Sequence, residues 1–267
     1  MSILEIDALT KQFGALTAVN ALALTVEAGE VFGLLGPNGA GKSTTIKMLT
    51  TLLPPTSGEA RVAGFSITRQ PADVRRNIGY VPQMLSTEGT LTGFENLLIF
   101  AKLYDLPQRG REARVRDALA FMGLAEAADQ QVRTYSGGMV RRLEIAQSML
   151  HSPPLLFLDE PTVGLDPAAR RAVWEHMGRL RAEHGTTIFL TTHLMEEADA
   201  LCHRVAIMHL GRVVAIGSPA ALKESIGGNG ATLDDVFIHY TGDKLEVIGG
   251  GGYRDARRAR RTARRLG

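Results

Sequence analysis

Apolar and polar residues alternate in "SILEIDALTKQFG", a period of two that predicts a strand at the edge of a sheet. "LALTVEAGE" predicts a second strand that ends in a glycine-containing turn. "VFGLLGPNGAGKSTTIKMLTTLL" reads as a short apolar strand, a glycine-rich loop and a helix, and "GEARVAGFSI" and "RRNIGYVPQ" predict further strands. From about Met84 to Leu150 the period becomes helical, in "GFENLLIFAKLYDL", in "REARVRDALAFMGL" and in a third segment. In that third segment Met139, Leu143, Ala146 and Leu150 recur at three- and four-residue steps. Strands return as "PLLFLDEP", "TTIFLTTH" and "RVAIMHLGRVVAIGS". Two strand-rich parts around a helical insert predict one α/β core.

Composition narrows the picture. Of the 267 residues 45% are hydrophobic, enough for a sizeable core. No apolar run approaches the ~18 residues of a membrane span, and "MSILEIDALTKQ" lacks the layout of a signal peptide. The single cysteine, Cys202, excludes an internal disulfide and fits a reducing cytoplasm. Its neighbour His203 makes a second metal-type donor, but two adjacent ligands make no site. The fifteen residues from Tyr253 hold seven arginines and one aspartate, so the net charge of +2 divides into a mildly acidic body and a basic tail.

"GPNGAGKS" fits G-x-x-x-x-G-K-[ST], with an apolar strand before it and an apolar helix after it. Gly36, Pro37, Asn38, Gly39, Ala40 and Gly41 would turn backbone N–H groups around phosphate oxygens, with Lys42 reaching the outer phosphates. The Ser43 hydroxyl, next to Thr44, can bind Mg²⁺. "LLFLDE" is a buried strand that releases Asp159 and Glu160 at its carboxyl end, where ligands bind in open α/β sheets. Asp159 would hold Mg²⁺ through water, and Glu160 could act as the general base toward an attacking water. "TTIFLTTH" delivers His193 to the same edge, where an imidazole can contact the terminal phosphate. Gln83 ends "IGYVPQ"; its amide can bond to Mg²⁺ or to the lytic water, and an ordinary exposed glutamine fits the residues equally well. A second helix start, at "TYSGGMVRR", has no acid in its first turn and carries Arg141 and Arg142, so it too invites an anion. A partner chain supplying Ser136, Gly137 and Gly138 in trans would satisfy both.

"GPNGAGKS", Gln83, "YSGGM", "LLFLDE", "GLDP" and His193, in that order, resemble the nucleotide-binding domain of ATP-binding-cassette (ABC) transporters over about residues 3 to 220. The resemblance implies a P-loop NTPase cassette with a RecA-like core, an antiparallel β-subdomain and a helical subdomain. Residues 1–226 would form the ATPase domain with 84–150 as the helical insert. Residues 227–248 would be a short extension and 249–267 a glycine linker with the arginine-rich tail. It implies ATP with Mg²⁺, and a sandwich dimer in which Ser136, Gly137 and Gly138 reach the phosphate held by the other protomer. Phe13 would stack on adenine, and Asp166 would couple the two sites. Lys42, Gln83, Glu160 and His193 are the candidate catalytic set; Ser43, Gln83 and Asp159 are the candidate metal set.

Within that family, "VRTYSGGMVRRLEIA" and "ATLDDVFIHYTG" resemble the ATPase subunits of daunorubicin-resistance-type multidrug exporters. These pair with a membrane permease on a separate chain, which implies a peripheral position on the cytoplasmic face of the membrane and a second cassette, an identical chain in a homodimer or a different one. The signature departs from the common pattern at Tyr135 and Met139. Relatives of this type also carry a folded extension before "LDDVF", whereas here "GGNGATLDDVF" follows almost at once. Two other readings stand beside export: an importer ATPase, and a soluble ABC protein acting on ribosomes or DNA. The tail reads equally as a solvated arginine run or as a contact with anionic lipid, and no nucleic-acid partner is expected.

Overall fold

In the computed structural model, which describes residues 1–84, 86–228 and 230–242, the N-terminal alternation builds a sheet of its own. β1 (Ser2–Phe13) and β2 (Leu16–Glu27) form a long antiparallel hairpin. The chain leaves it for β3 (Val31–Leu35) and α1 (Lys42–Leu49), then returns as β4 (Ser57–Val62) and β5 (Phe65–Ser66). The order is β2-β1-β4-β5, so β1 is an interior strand and not the edge that its alternation predicted. Alternation reports one buried face and says nothing of neighbours. Here β4 pairs with β1 from residues far along the chain, Leu4 opposite Val62, and β2 takes the edge.

The second sheet gathers the apolar strands. After α2 (Pro71–Arg76) come β6 (Ile78–Val81) and the helical insert of α3 (Gly93–Leu103), α4 (Arg111–Phe121) and α5 (Gly137–Met149). Then follow β7 (Leu155–Asp159), α6 (Pro167–His184), β8 (Thr187–Thr192), α7 (Met195–Leu201), β9 (Arg204–His209) and β10 (Arg212–Gly217). The strands lie in the order β10-β9-β3-β8-β7-β6, parallel except for β10. Every residue of β3, β7 and β8 is buried, as a parallel sheet covered on both faces requires.

The pleat divides these strands between two cores. Phe32, Phe157 and Phe189 face α1 and the antiparallel sheet, and their rings pack with centroids 5.5 to 5.6 Å apart. Leu35, Leu156, Leu158 and Leu190 face the other way, onto the insert and α6. Each such side chain contributes roughly 1.5–3 kcal/mol of burial.

The helix α6, which the strand and insert patterns did not bring out, carries Val173, Met177 and Leu180 on its buried side. It is capped by Asp166 and stopped by Gly185 in the left-handed region. Gly227 and Gly228 make a helix-ending turn: both have positive φ, and Gly228 N–H donates to Lys223 O after α8 (Pro219–Ser225). Behind it "LDDVF" forms α9 (Leu233–Thr241), whose Leu233, Val236 and Phe237 join the core. The expected linker and tail at 249–267, and the extension beyond Gly242, lie outside the described residues.

Candidate functional site

Four neighbouring parallel strands end on one edge, and each delivers polar groups there. In sheet order β3, β8, β7, β6 these are the glycine loop, His193, the pair Asp159–Glu160, and Gln83. The loop admits no larger residue at two places. A Cβ at Gly36 would meet Met208 O at 2.2 Å, and one at Gly41, where φ is 108°, would meet Ala18 O at 2.4 Å. Gly41 begins α1, whose first turn has no acid, so its free N–H groups and positive dipole end face the loop. Ala40 is buried beneath the loop, Asn38 and Gly39 are exposed at its tip, and Pro37 and Thr44 are half-buried.

Lys42 is buried. Its ammonium donates to Gly36 O at 2.8 Å and Pro37 O at 3.1 Å, and pairs with Glu160 Oε1 at 3.2 Å. Asp159 Oδ1 accepts from Ser43 Oγ at 3.1 Å and from Thr191 Oγ1 at 2.6 Å. Glu160 holds a φ of +49°, a conformation that costs a non-glycine residue about 1–3 kcal/mol. Its backbone N–H is shared between Thr191 O and Thr191 Oγ1, both at 3.1 Å, which fixes it there.

The Glu160 carboxylate is the meeting point. Besides Lys42, its Oε1 faces His193 Nδ1 at 3.2 Å, and its Oε2 accepts from Gln83 Nε2 at 2.9 Å. Burial pushes this carboxyl up, but the His193 hydrogen bond and the Lys42 charge together outweigh it and hold the group below its ordinary value. Glu160 is therefore a carboxylate at neutral pH. The sequence-derived set Lys42, Ser43, Gln83, Asp159, Glu160 and His193 is thus one cluster.

The remaining candidates sit elsewhere. Ser136 caps α5 and accepts from Met139 N–H at 3.3 Å. A Cβ at Gly138 would meet Ala169 Cβ at 2.7 Å, and one at Gly137 would lie 3.4 Å from Leu165. The start of α5 therefore rests on the start of α6, where Asp166 accepts from Ala168 N–H and Ala169 N–H at 3.0 and 2.9 Å. Phe13 ends β1 half exposed, with the Lys11 ammonium 5.2 Å from its ring centroid.

Arg141 and Arg142 do not serve the anion that their place in "SGGMVRR" suggested. Arg141 is buried and donates to Pro82 O at 2.8 Å, Gln83 O at 2.9 Å and Glu144 Oε2 at 3.0 Å. Arg142 donates to Met122 O at 2.9 Å, at the end of α4. Both guanidiniums turn to the protein's own backbone carbonyls, and Arg141 also to the Glu144 carboxylate. Burial pulls Arg141 down and pushes Glu144 up, and each charge opposes the shift of the other.

Three contributors were not read from the sequence. Thr191 braces both Asp159 and Glu160. Glu144 pairs Arg141 and also accepts from Ser86 N–H at 2.6 Å; an Arg and a Glu three residues apart on a buried helix face was its only signal. Glu197, buried in α7, accepts from Thr162 Oγ1 at 2.7 Å and Trp174 Nε1 at 3.1 Å, joining the loop after Glu160 to α6. His203 Nδ1 accepts from Val31 N–H at 3.1 Å, which commits that ring to the backbone.

Comparison with known proteins agrees with this geometry. Residues 19–163 match the family model described as ABC transporter. Over 226 residues the chain is 47% identical to the daunorubicin/doxorubicin resistance ATP-binding protein DrrA of Streptomyces peucetius, covering 85% of this chain and 68% of that one. It is 41% identical to the linearmycin resistance ATP-binding protein LnrL of Bacillus subtilis, covering 85% and 73%. A solved ATP-binding subunit of an ABC transporter superposes with a TM-score of 0.79 at 33% identity, covering 90% of this chain and 99% of that one. A dimeric cassette, MJ0796, in a post-hydrolysis state with ADP and Pi, superposes with a TM-score of 0.71 at 26% identity, covering 80% and 98%.

Proposed function

The chain belongs to the ABC transporter ATP-binding family, and from that premise we propose how its residues do the family's work. It is the ATP-binding and ATP-hydrolysing subunit of an exporter, and it couples closure of paired cassettes to transport through a separate permease. The observation that carries the assignment of roles is the convergence of Lys42, Gln83 and His193 on the buried carboxylate of Glu160.

Phosphate oxygens bound in the glycine loop compete with Glu160 for the Lys42 ammonium. As Lys42 turns to the phosphate, Glu160 loses a neighbour that depresses its basicity, and it becomes a better acceptor for the proton of an attacking water. Gln83 and His193, already bonded to the same carboxylate, orient that water and sense the terminal phosphate. Ser43 Oγ and Asp159 Oδ1, 3.1 Å apart, are hard oxygen donors of the kind Mg²⁺ takes. The ion, when bound there, offsets the charge of the phosphates.

Ser136, Gly137 and Gly138 of one protomer close on the phosphate held by a second copy, with Asp166 beside them and Phe13 stacking on the base. That a relative is a dimer in a post-hydrolysis state with ADP and Pi supports the pairing of two cassettes. No helix among the described residues is long and apolar enough to cross a membrane. In this reading the chain sits at the cytoplasmic face and is attached through the permease. The arginine-rich tail adds contact with anionic lipid, each basic residue near the surface contributing about 1 kcal/mol. Removing residues 253–267 should then lower co-sedimentation with phosphatidylserine vesicles and leave ATP binding unchanged; equal sedimentation of both chains would refute the lipid role.

The assignment of Glu160 is tested by ATP hydrolysis. In Glu160→Gln the turnover should fall by about 10²–10⁴-fold, while the Kd for ATP stays within a few fold. Turnover equal to wild type would remove Glu160 from the chemistry.

A further inference from the structure

The buried pair Arg141–Glu144 is used by nothing above. It lies on α5 between one and about two turns past Ser136, and it grips Pro82, Gln83 and Ser86. The Arg141 guanidinium donates to the carbonyls of Pro82 and Gln83, and the Glu144 carboxylate accepts from the Ser86 N–H and hydroxyl at 2.6 and 3.2 Å. The two side chains lock each other at 3.0 Å. A flat fork sets the directions of its donors toward the two adjacent carbonyls and the carboxylate, whereas a lysine ammonium is a rotatable point charge that fixes none of them.

A second fastening runs parallel to the first. The strip from Gly89 to Phe94 is laced to the strip just before Ser136: Arg133 N–H donates to Gly89 O, Val132 N–H to Leu91 O and Phe94 N–H to Ala128 O, at 2.8 to 2.9 Å. Pro82, Gln83 and Ser86 are therefore tied to α5 itself, and the strip from Gly89 to Phe94 is tied to the residues that lead into Ser136. Gln83 meets Glu160 in its own protomer, and α5 carries at its start the Ser136 that is assigned to the nucleotide of the other.

We propose that Arg141, held by Glu144, is a positioning residue that makes Gln83 and the Ser136 end of α5 move as one body. A shift of Gln83 toward the phosphate in one site then presents Ser136 to the other site without slack. The inference rests on the ATPase reading of the preceding section and assigns residues to the link between its two halves.

Arg141→Lys keeps the charge beside Glu144 and loses the fork; Arg141→Met with Glu144→Gln removes both charges together, so that neither is left buried and alone. Each is made in the wild-type chain and in Gln83→Ala, and turnover, KM for ATP and unfolding midpoint are measured. Both changes should lower kcat by about 10- to 100-fold, the scale of a small misplacement of reacting groups, with KM within about twofold. In the Gln83→Ala background the same changes should cost less than about twofold, because the group they position is gone. If the loss is as large without the Gln83 amide as with it, Arg141 only supports the helix and the inference fails. If the wild-type chain hydrolyses no ATP, the ATPase reading falls and takes this link with it.

Discussion

Glu160 gathers, within 3.2 Å, an ammonium, an imidazole and an amide on a residue whose backbone is itself strained. Such a carboxylate has a lowered folded pKa, so it favours the folded state above the ordinary value of about 4.3, and that contribution is lost as pH falls through the folded value. The urea midpoint of wild type should therefore drop more steeply than that of Glu160→Gln between about pH 5 and pH 3. Parallel curves would mean that Lys42 and His193 do not hold the carboxylate in solution. At this scale the sequence was informative where chemistry is local. A glycine loop ending in Lys-Ser and two acids after an apolar run were legible as they stand. Thr191 was not, because a hydroxyl in a buried strand looks like any other β-branched residue until its partner across the sheet is known.

Among the elements, α5 was recognised from its period, yet two of its residues were misread. Arg141 and Arg142 looked like cations placed at a helix start for an anion; period tells which side is buried, not that an arginine on that side has carbonyls waiting. The two glycines at the start also differ in a way that only packing shows. A Cβ at Gly138 collides with Ala169 at 2.7 Å, while one at Gly137 rests at ordinary contact distance from Leu165. Gly138→Ala should lower stability by about 1–3 kcal/mol through overpacking. Gly137→Ala should be neutral, or gain up to about 1 kcal/mol from helix propensity. Urea unfolding of the two variants checks the order; equal losses would show that α5 and α6 do not meet as described. Near the same place Gly93 leaves room for the Tyr135 hydroxyl, which donates to Ala127 O at 2.6 Å, so the tyrosine departure in the signature has a packing partner.

For the whole molecule, hydrolysis and closure separate in Glu160→Gln: with ATP this variant should elute as a dimer in light-scattering chromatography, and without ATP as a monomer. A monomer in both would mean that the permease, not nucleotide, brings two cassettes together. The α/β class and the helical insert were visible along the chain because each depends on the period of a short window. So were the phosphate loop and the acids, which depend on residue types at fixed spacing. Tertiary structure decided the rest: β1 in the interior of its sheet, α9 docked through Phe237, and the buried arginine fork around Gln83. Each of these is a contact between residues far apart in sequence. Its free energy depends on the partner that arrives, and a local pattern carries no record of that partner.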